Sequence, residues 1–389
     1  MNQSNLKKLQ NLLKEKDIDI FVINRSDEYL NEYISPNAER LNFITNFSGS
    51  AGRAIITPTD AFLYVDGRYT FQANTQINAK EIQAKHLNSF WTDLEKILLE
   101  EEYKIALDPT LHSIIEIEKV EKMLENSTSQ LQLIDKNYVD LIWENQPKTQ
   151  YTDIFDHPTS FAGQGRSEKL DILKKFLDQN EIDHYFVSGL DNIAWLLNLR
   201  ADDIKYTPLL YSYLLISKNN KHSLYIKESS MPEILKKEIQ TLININNIEN
   251  IGSIFNNINS SESIGLDFNS TTFYFLDLLR KQKINTKNLA NPCILLKAIK
   301  NETELDGAKK AHIRDGVSIT KYIYWLKNIM DPKSNDEISV AHHLENLRRK
   351  NELFHSLSFD TISAIDQNAA LPHYRVTEEG LSLIHISEP

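Results

Sequence analysis

The strongest constraint on the fold is an internal repeat, because one series of predicted elements occurs twice along the chain. Each copy begins with leucines at helical spacing and continues into a short apolar run that is typical of a buried strand. Ile18-Asp19 opens this strand in the first copy, and Ile182-Asp183 opens it in the second. Four matched elements follow one another in the same order, so we predict two α/β domains of one fold.

The other matched segments place both domain boundaries. Segment 43–47 of the first copy matches 195–199 of the second, and 105–108 matches 264–267. The hairpin strands 54–57 and 62–65 match 213–217 and 223–226 in the same way. Each copy ends with a predicted helix, near 114–124 in the first and near 273–280 in the second. Pro147 lies in a stretch without apolar periodicity, and Asn291-Pro292 marks a second junction. We therefore predict domains at 1–147 and 148–291, with a third segment at 292–389.

The third segment has helical periodicity first and strand-like alternation later. Asn301 is a suitable N-cap for a long helix whose apolar face runs from Leu305 to Met330, and a second helix is predicted over 336–349. The run 358–362 alternates and predicts a strand, and a turn at 366–368 follows it.

His373 comes after that turn and is a candidate for function. A histidine at this place can act as a general acid or base or as a hydrogen-bond donor to substrate. The alternative is a histidine at a strand end that is bonded only to backbone.

Composition and charge narrow the classes of function. The 389-residue chain carries a net charge of −11, so it lacks the basic excess of a nucleic-acid-binding protein. The first 16 residues are polar, and no apolar run approaches the roughly 18 residues of a membrane span, so we expect neither a signal peptide nor membrane insertion. Cys293 is the single cysteine, which excludes an internal disulfide and favours a cytoplasmic location.

Several residues that could signal chemistry have simpler interpretations. The glycine cluster 49–52 lacks the Gly-Lys-Ser/Thr of a phosphate loop and precedes a strand, so we predict a tight turn. His312, His342 and His343 follow no metal-binding spacing, and we interpret them as structural or solvated. Cys293 precedes an apolar run and is predicted to be buried packing rather than a nucleophile.

Distinctive motifs occur in all three parts of the chain. They are GSAG (49–52), DGRY (66–69), DNIAWLLNLR (191–200), SFDTIS (358–363) and HYRVTE (373–378). Together they resemble the Xaa-Pro aminopeptidases (aminopeptidase P), which belong to the pita-bread metallopeptidases with creatinase and prolidase. The resemblance implies an α/β (α+β) architecture, with two tandem creatinase-type domains followed by the start of a pita-bread catalytic domain.

The resemblance also implies an activity and two site residues. The family removes the N-terminal residue from peptides that have proline in second position, and a homodimer is expected. By resemblance, Arg68 contacts substrate, and His373 contacts substrate and donates or shuttles a proton. From the residues alone, Arg68 at a strand-end turn could simply pair with a nearby carboxylate.

Two divalent metal ions, Mn or Zn, serve this family, and all five of their ligands follow the His373 motif. We therefore expect no metal ligand in this chain. The similarity ends near Gly380, and the tail 381–389 is expected to be artefactual. The chain is therefore expected to be an inactive part of a longer enzyme, and its third segment is expected to be poorly ordered or to expose apolar residues. Two alternatives stay open: a non-catalytic creatinase-like binding module, and a hydrolase of the prolidase or creatinase type.

Overall fold

A computed structural model describes residues 3–331 and 333–376 of the chain. One compact unit contains the residues up to Thr159 together with Gln164–Ile299, and a second contains Ser160–Gly163 together with the described residues from Lys300 onward. Within the described ranges, no helix is both long enough and apolar enough to cross a membrane.

The first unit contains both strands and helices, and the regular elements described from Lys300 onward in the second unit are all helices. The strands are β1 Ile20–Asn24, β2 Gly52–Ile56, β3 Ala61–Val65, β4 Gln83–His86, β5 Lys104–Leu107, β6 Gln130–Leu133, β7 Phe155–Asp156, β8 His184–Val187, β9 Leu199–Arg200, β10 Tyr213–Ser217, β11 His222–Ile226, β12 Ile243–Asn247, β13 Ser263–Leu266 and β14 Asn285–Asn288. The α-helices are α1 Asn5–Glu15, α2 Arg40–Thr45, α3 Thr70–Gln76, α4 Phe90–Glu100, α5 Ile114–Leu124, α6 Tyr138–Ile142, α7 Thr159–Ala162, α8 Arg166–Gln179, α9 Leu190–Leu197, α10 Glu233–Ile239, α11 Phe273–Lys281, α12 Pro292–Ala298, α13 Glu302–Asn328 and α14 Glu337–Arg349.

The first unit contains two lobes with the same sheet topology, which confirms the predicted duplication. The first lobe, residues 5–142, has the strand order β4-β3-β2-β1-β5-β6, and the second lobe, residues 166–298, has the order β12-β11-β10-β8-β13-β14. Strand directions also correspond, because β1 and β8 are each antiparallel to one neighbour and parallel to the other. Even the register repeats: Phe21 pairs with Ile56 and Ala106, as Tyr185 pairs with Ile216 and Gly265.

Two polar residues of the repeat have a structural reason to recur. The carboxylates of Asp19 and Asp183 each accept a hydrogen bond from the first backbone N–H of the neighbouring strand, at 2.8 Å and 2.9 Å. Asn46 and Asn198 end equivalent helices in the left-handed conformation, with φ of 60° and 50°. Asparagine tolerates this conformation better than most residues, so it serves as a helix stop in both lobes.

The two lobes share one apolar core. Along β1, Ile20 and Val22 enter a cluster that also contains Phe186 and Leu215 of the second lobe, whereas Phe21 packs into a separate core on the opposite face of the sheet. This alternation is the period of a strand whose two faces are both covered.

Hydrogen bonds between equivalent residues also join the lobes. Ile114 N–H donates to the Thr271 carbonyl at 3.0 Å, and Phe273 N–H donates to the His112 carbonyl at 3.0 Å. Each lobe therefore donates one backbone hydrogen bond to the other at equivalent positions, as two identical subunits do in an isologous interface, although both lobes belong to one chain.

The second unit contains the two predicted helices, and their apolar faces are only partly covered. Ser318 is the buried residue of α13, and Leu305 and Ile323 are 40% and 45% exposed. In α14 the buried residues are Glu337 and Val340, whereas the apolar residues at helical spacing are half-buried, namely Ile338, Ala341, Leu344 and Leu347. The prediction that this segment exposes apolar residues is confirmed within the described part of the chain.

The predicted strand at 358–362 is wrong. The segment has irregular backbone, and Phe359 and Ile362 are 62% and 52% exposed. Alternation is not sufficient for a strand, since the backbone N–H and C=O groups also need a neighbouring strand. The described residues from Lys300 onward contain no strand that could pair with it, and an open cavity of about 660 Å³ separates the segment from α13 and α14.

Candidate functional site

Arg68 lies directly after β3, in a short turn that its own neighbour holds. The Asp66 carboxylate accepts a hydrogen bond from the Arg68 backbone N–H at 2.9 Å and contacts the guanidinium Nε at 3.0–3.1 Å. This ion pair raises the pKa of Arg68, so the side chain stays charged. The Arg68 side chain is 54% exposed, and it is therefore both oriented and accessible.

The glycine cluster 49–52 packs against the turn that carries Arg68. It forms a tight turn rather than a phosphate loop, as predicted. β2 begins at Gly52, within the cluster. The Tyr69 hydroxyl lies 2.5 Å from Ser50 Oγ, and the Tyr69 ring packs edge-on against Phe47. A Cβ at Gly49 would lie 2.1 Å from the Phe47 ring, so this position requires glycine. The GSAG and DGRY motifs therefore form one packed structure.

Arg25 has a structural role that sequence reasoning missed. Its guanidinium donates to the carbonyls of Glu32 and Ser50, at 2.9 Å and 3.2 Å, and pairs with the Glu39 carboxylate at 2.9 Å. The side chain is only 6% exposed. It thereby ties the loop after β1 to the glycine cluster. The sequence carries no signal for this role, because two of the partners are backbone carbonyls, which any residue type provides.

His373 belongs to the second unit and follows the 3₁₀ helix Asp366–Ala370. The imidazole is exposed, whereas the adjacent Tyr374 is 8% exposed. The chain returns toward the segment 358–362, since Arg375 Nε lies 3.5 Å from Asp360 Oδ2. Arg68 and His373 thus lie in different compact units, and each is accessible within its own unit.

The described residues do not suit a metal pair. Residues 3–331 and 333–376 contain no group of three or more His, Cys, Asp or Glu side chains that could hold a metal ion. His312 Nδ1 contacts the Ala308 carbonyl at 2.8 Å within its own helix, and His343 stacks on Trp325 at 3.8 Å. Cys293 is fully buried, and burial raises its pKa to about 12, as expected for a packing residue.

Comparison with protein families identifies both lobes. Two models of the creatinase/prolidase N-terminal domain match the chain, one over residues 5–136 and the other over residues 145–304. Their matches correspond to the two copies of the repeat.

Whole-chain relatives are similar beyond these two domains. Probable Xaa-Pro aminopeptidase P of Paracoccidioides brasiliensis (strain Pb03) is 33% identical over 401 residues, which covers 97% of this chain and 64% of that relative. The protein of the same name from Neosartorya fischeri is 34% identical over 396 residues, covering 97% of this chain and 60% of the relative. This chain thus spans less than two thirds of the length of these relatives.

A solved structure agrees with these relatives. The X-prolyl aminopeptidase from Caenorhabditis elegans, described as a cytosolic enzyme with a di-nuclear active site, matches with a TM-score of 0.88 at 25% identity. The match covers 97% of this chain and 64% of that enzyme. The chain therefore contains two creatinase/prolidase N-terminal domains in tandem, and it is similar to Xaa-Pro aminopeptidase P over 97% of its length.

Proposed function

We propose that this chain supplies the substrate-holding and proton-transfer parts of a metal-dependent Xaa-Pro aminopeptidase. Its substrates would be peptides with proline in second position, from which the N-terminal residue is removed. The observation that carries the proposal is the charged, half-exposed Arg68, oriented by Asp66 at the end of β3. The similarity to Xaa-Pro aminopeptidase P over 97% of the chain supports it.

The side-chain chemistry suits this substrate. Proline has no backbone N–H and a fixed φ. Since its nitrogen cannot donate a hydrogen bond, an enzyme that selects proline can bind the peptide through the carbonyl or carboxylate oxygens beside it. A guanidinium presents several N–H donors in one plane and matches such oxygens. In the proposed function Arg68 holds the peptide, and the exposed His373 donates or shuttles a proton.

Two divalent ions, Mn or Zn, are proposed as cofactors, with ligands outside the described residues. When bound, such ions polarise the scissile carbonyl and activate a water molecule. The described residues do not suit the pair, and we derive no catalytic step through it.

We also propose the organisation of the protein. Creatinase-type domains at 1–147 and 148–291 precede the beginning of a pita-bread catalytic domain at 292–389. Residues 377–389, which include the tail 381–389, lie outside the described residues. A cytoplasmic homodimer is proposed, and size-exclusion chromatography with light scattering measures its mass.

Variants at the two site residues test the proposal in a protein that contains this chain and cleaves an Xaa-Pro peptide. We expect Arg68→Ala to raise KM and His373→Ala to lower kcat by about 10²–10⁴-fold, the usual effect of losing a general acid or base. Arg68→Lys should recover little, because an ammonium lacks the planar donor pair.

Two controls match these variants. Arg280 is 49% exposed and ion-paired with Glu118, and His342 is an exposed histidine on α14, so Arg280→Ala and His342→Ala should leave turnover unchanged. Unaltered turnover in both Arg68→Ala and His373→Ala would reject the assigned roles and favour a binding module.

A further inference from the structure

The segment 365–374, which carries His373, is held by very little regular structure. Apart from the 3₁₀ helix Asp366–Ala370, its described backbone is irregular, and no strand of the described residues pairs with it. Most of its side chains are exposed or half-buried, and Tyr374 is the buried one. A histidine that transfers protons needs a defined position, so the segment requires an anchor.

A single carboxylate contacts this segment at three places. Glu337 Oε1 accepts a hydrogen bond from the Ile365 backbone N–H at 2.7 Å, and Oε2 accepts one from the Tyr374 hydroxyl at 3.0 Å. Asn368 Nδ2 lies 3.2 Å and 3.1 Å from the two carboxylate oxygens and donates to the Tyr374 oxygen at 3.0 Å. The contacts reach both ends and the middle of the segment.

The position of Glu337 suits a buried carboxylate. The residue is 1% exposed, which a charged group tolerates only when hydrogen bonds replace its hydration. It is also the first residue of α14, where the partial positive charge of the helix N-terminus favours an anion.

The helix that presents Glu337 is itself fixed within the second unit. Arg348 near the end of α14 pairs with Asp315 of α13 through Nε at 2.6 Å and Nη2 at 3.1 Å. His343 of α14 stacks on Trp325 of α13 at 3.8 Å, with the rings 12° from parallel. Glu337 therefore connects the irregular segment to a packed helix pair.

We propose that Glu337 is a positioning residue, whose carboxylate holds the 365–374 segment and thereby places His373. The hydrogen-bonded anchor stands on the geometry alone, and its consequence for catalysis rests on the proposed function of His373. Glutamine at position 337 is nearly isosteric but offers an N–H₂ group where the Tyr374 and Asn368 donors meet the carboxylate. Glu337→Gln should therefore release the segment without removing bulk from the core.

Amide hydrogen exchange on the 389-residue chain tests the anchor. In Glu337→Gln, we expect the Ile365 amide and the peptide covering 365–374 to exchange about tenfold faster or more, while the amides of 341–349 in α14 keep their wild-type rates. Glu302 is the matched control, because it is the first residue of α13 and is exposed, so Glu302→Gln should change neither region. Unchanged exchange over 365–374 in Glu337→Gln would overturn the anchor, and so would equal acceleration throughout α14.

Turnover measurements in two backgrounds test the positioning role. In a protein that contains this chain and cleaves an Xaa-Pro peptide, Glu337→Gln should lower kcat at least about tenfold, with KM changed less than about twofold. In the His373→Ala background the same substitution should have little further effect, because the group that it positions is already absent.

An equal loss of kcat in both backgrounds would overturn the positioning role and leave Glu337 as a stability residue. If His373→Ala alone has full turnover, the proposed role of His373 fails, and the exchange experiment decides the anchor independently.

Discussion

His222, at the start of β11, is a buried titratable side chain whose environment excludes the charged form. It is 4% exposed, and its Nδ1 accepts the Ser217 backbone N–H at 3.1 Å. Burial lowers the pKa of His222 to about 4, with the positive charge of Lys174 as a smaller cause. In the unfolded chain, His222 is exposed to water and has the ordinary histidine pKa of about 6.5. The unfolded state therefore binds a proton in the range where the folded state does not, and stability falls as pH falls from about 6.5 toward 4.

The variant His222→Asn should remove this pH dependence. Its amide oxygen can still accept the Ser217 N–H, but it does not titrate. Between pH 7.5 and pH 4.5 we expect the free energy of unfolding of the wild type to fall by about 2–3 kcal/mol more than that of the variant. Urea denaturation at the two pH values measures the difference. Parallel losses in wild type and variant would show that His222 is not the group responsible.

α13 is a 27-residue helix that contains two glycines, Gly307 and Gly316. A Cβ added at either position meets no atom within 4 Å. Glycine in a helix interior costs stability because the unfolded chain has more conformations to lose. The element therefore has weak points that no tertiary contact requires.

Replacement of Gly316 by alanine should stabilise α13 by about 1 kcal/mol. This corresponds to amide exchange about fivefold slower in the middle of the helix, which mass spectrometry of α13 peptides detects. Gly265→Ala is the opposite control, because its Cβ would lie 2.8 Å from side-chain carbons of Ile182 and Tyr185, and that variant should be destabilised. Faster exchange in Gly316→Ala would contradict the open environment of that position.

At the scale of the whole molecule, the two lobes of the first unit are joined by a shared core and by an aromatic contact. The Tyr29 ring of the first lobe stacks on Tyr213 at 4.7 Å and on Tyr211 at 5.2 Å, both in the second lobe. The Tyr213 hydroxyl donates to the Glu28 carbonyl at 3.1 Å. A common core makes the unfolding of one lobe expose apolar surface of the other, so we expect the lobes to unfold together.

Tyr29→Ala should weaken this coupling. Tyr29 is half-buried and packs against the shared core, so its truncation should cost up to about 3 kcal/mol, and we expect the calorimetric transition of the first unit to broaden or split. Tyr33, in the same loop, is 39% exposed and provides the matched control Tyr33→Ala, whose transition should stay single. A sharp, unshifted transition in Tyr29→Ala would show that the coupling lies elsewhere.

We propose that the 389-residue chain has no peptidase activity of its own, as part of the proposed function. Two hard divalent ions need several converging carboxylates, and the described residues provide no such group. We expect no release of the N-terminal residue from an Xaa-Pro peptide above a no-protein control when Mn²⁺ or Zn²⁺ is added. Metal-dependent release would place a working metal site within these 389 residues.

Much of the fold could be predicted, because its signals are local. Helix periodicity, the Asn301 N-cap and the paired strands are properties of short stretches, and the duplication doubled each signal. The GSAG and DGRY motifs likewise predict the turn that carries Arg68, because their glycines and Asp66 act on neighbouring residues. Arg25 could not be predicted, since two of its partners are backbone carbonyls, which any residue type provides.

By itself the sequence determined the two lobes, their matched strands and the helices of the second unit. Only the tertiary structure decided that the lobes share a core, that 358–362 is not a strand, and that Glu337 is buried against the segment of His373. The physical reason is the same in each case. Periodicity and capping depend on neighbours along the chain, whereas strand pairing and the burial of a charge depend on which distant groups arrive beside them.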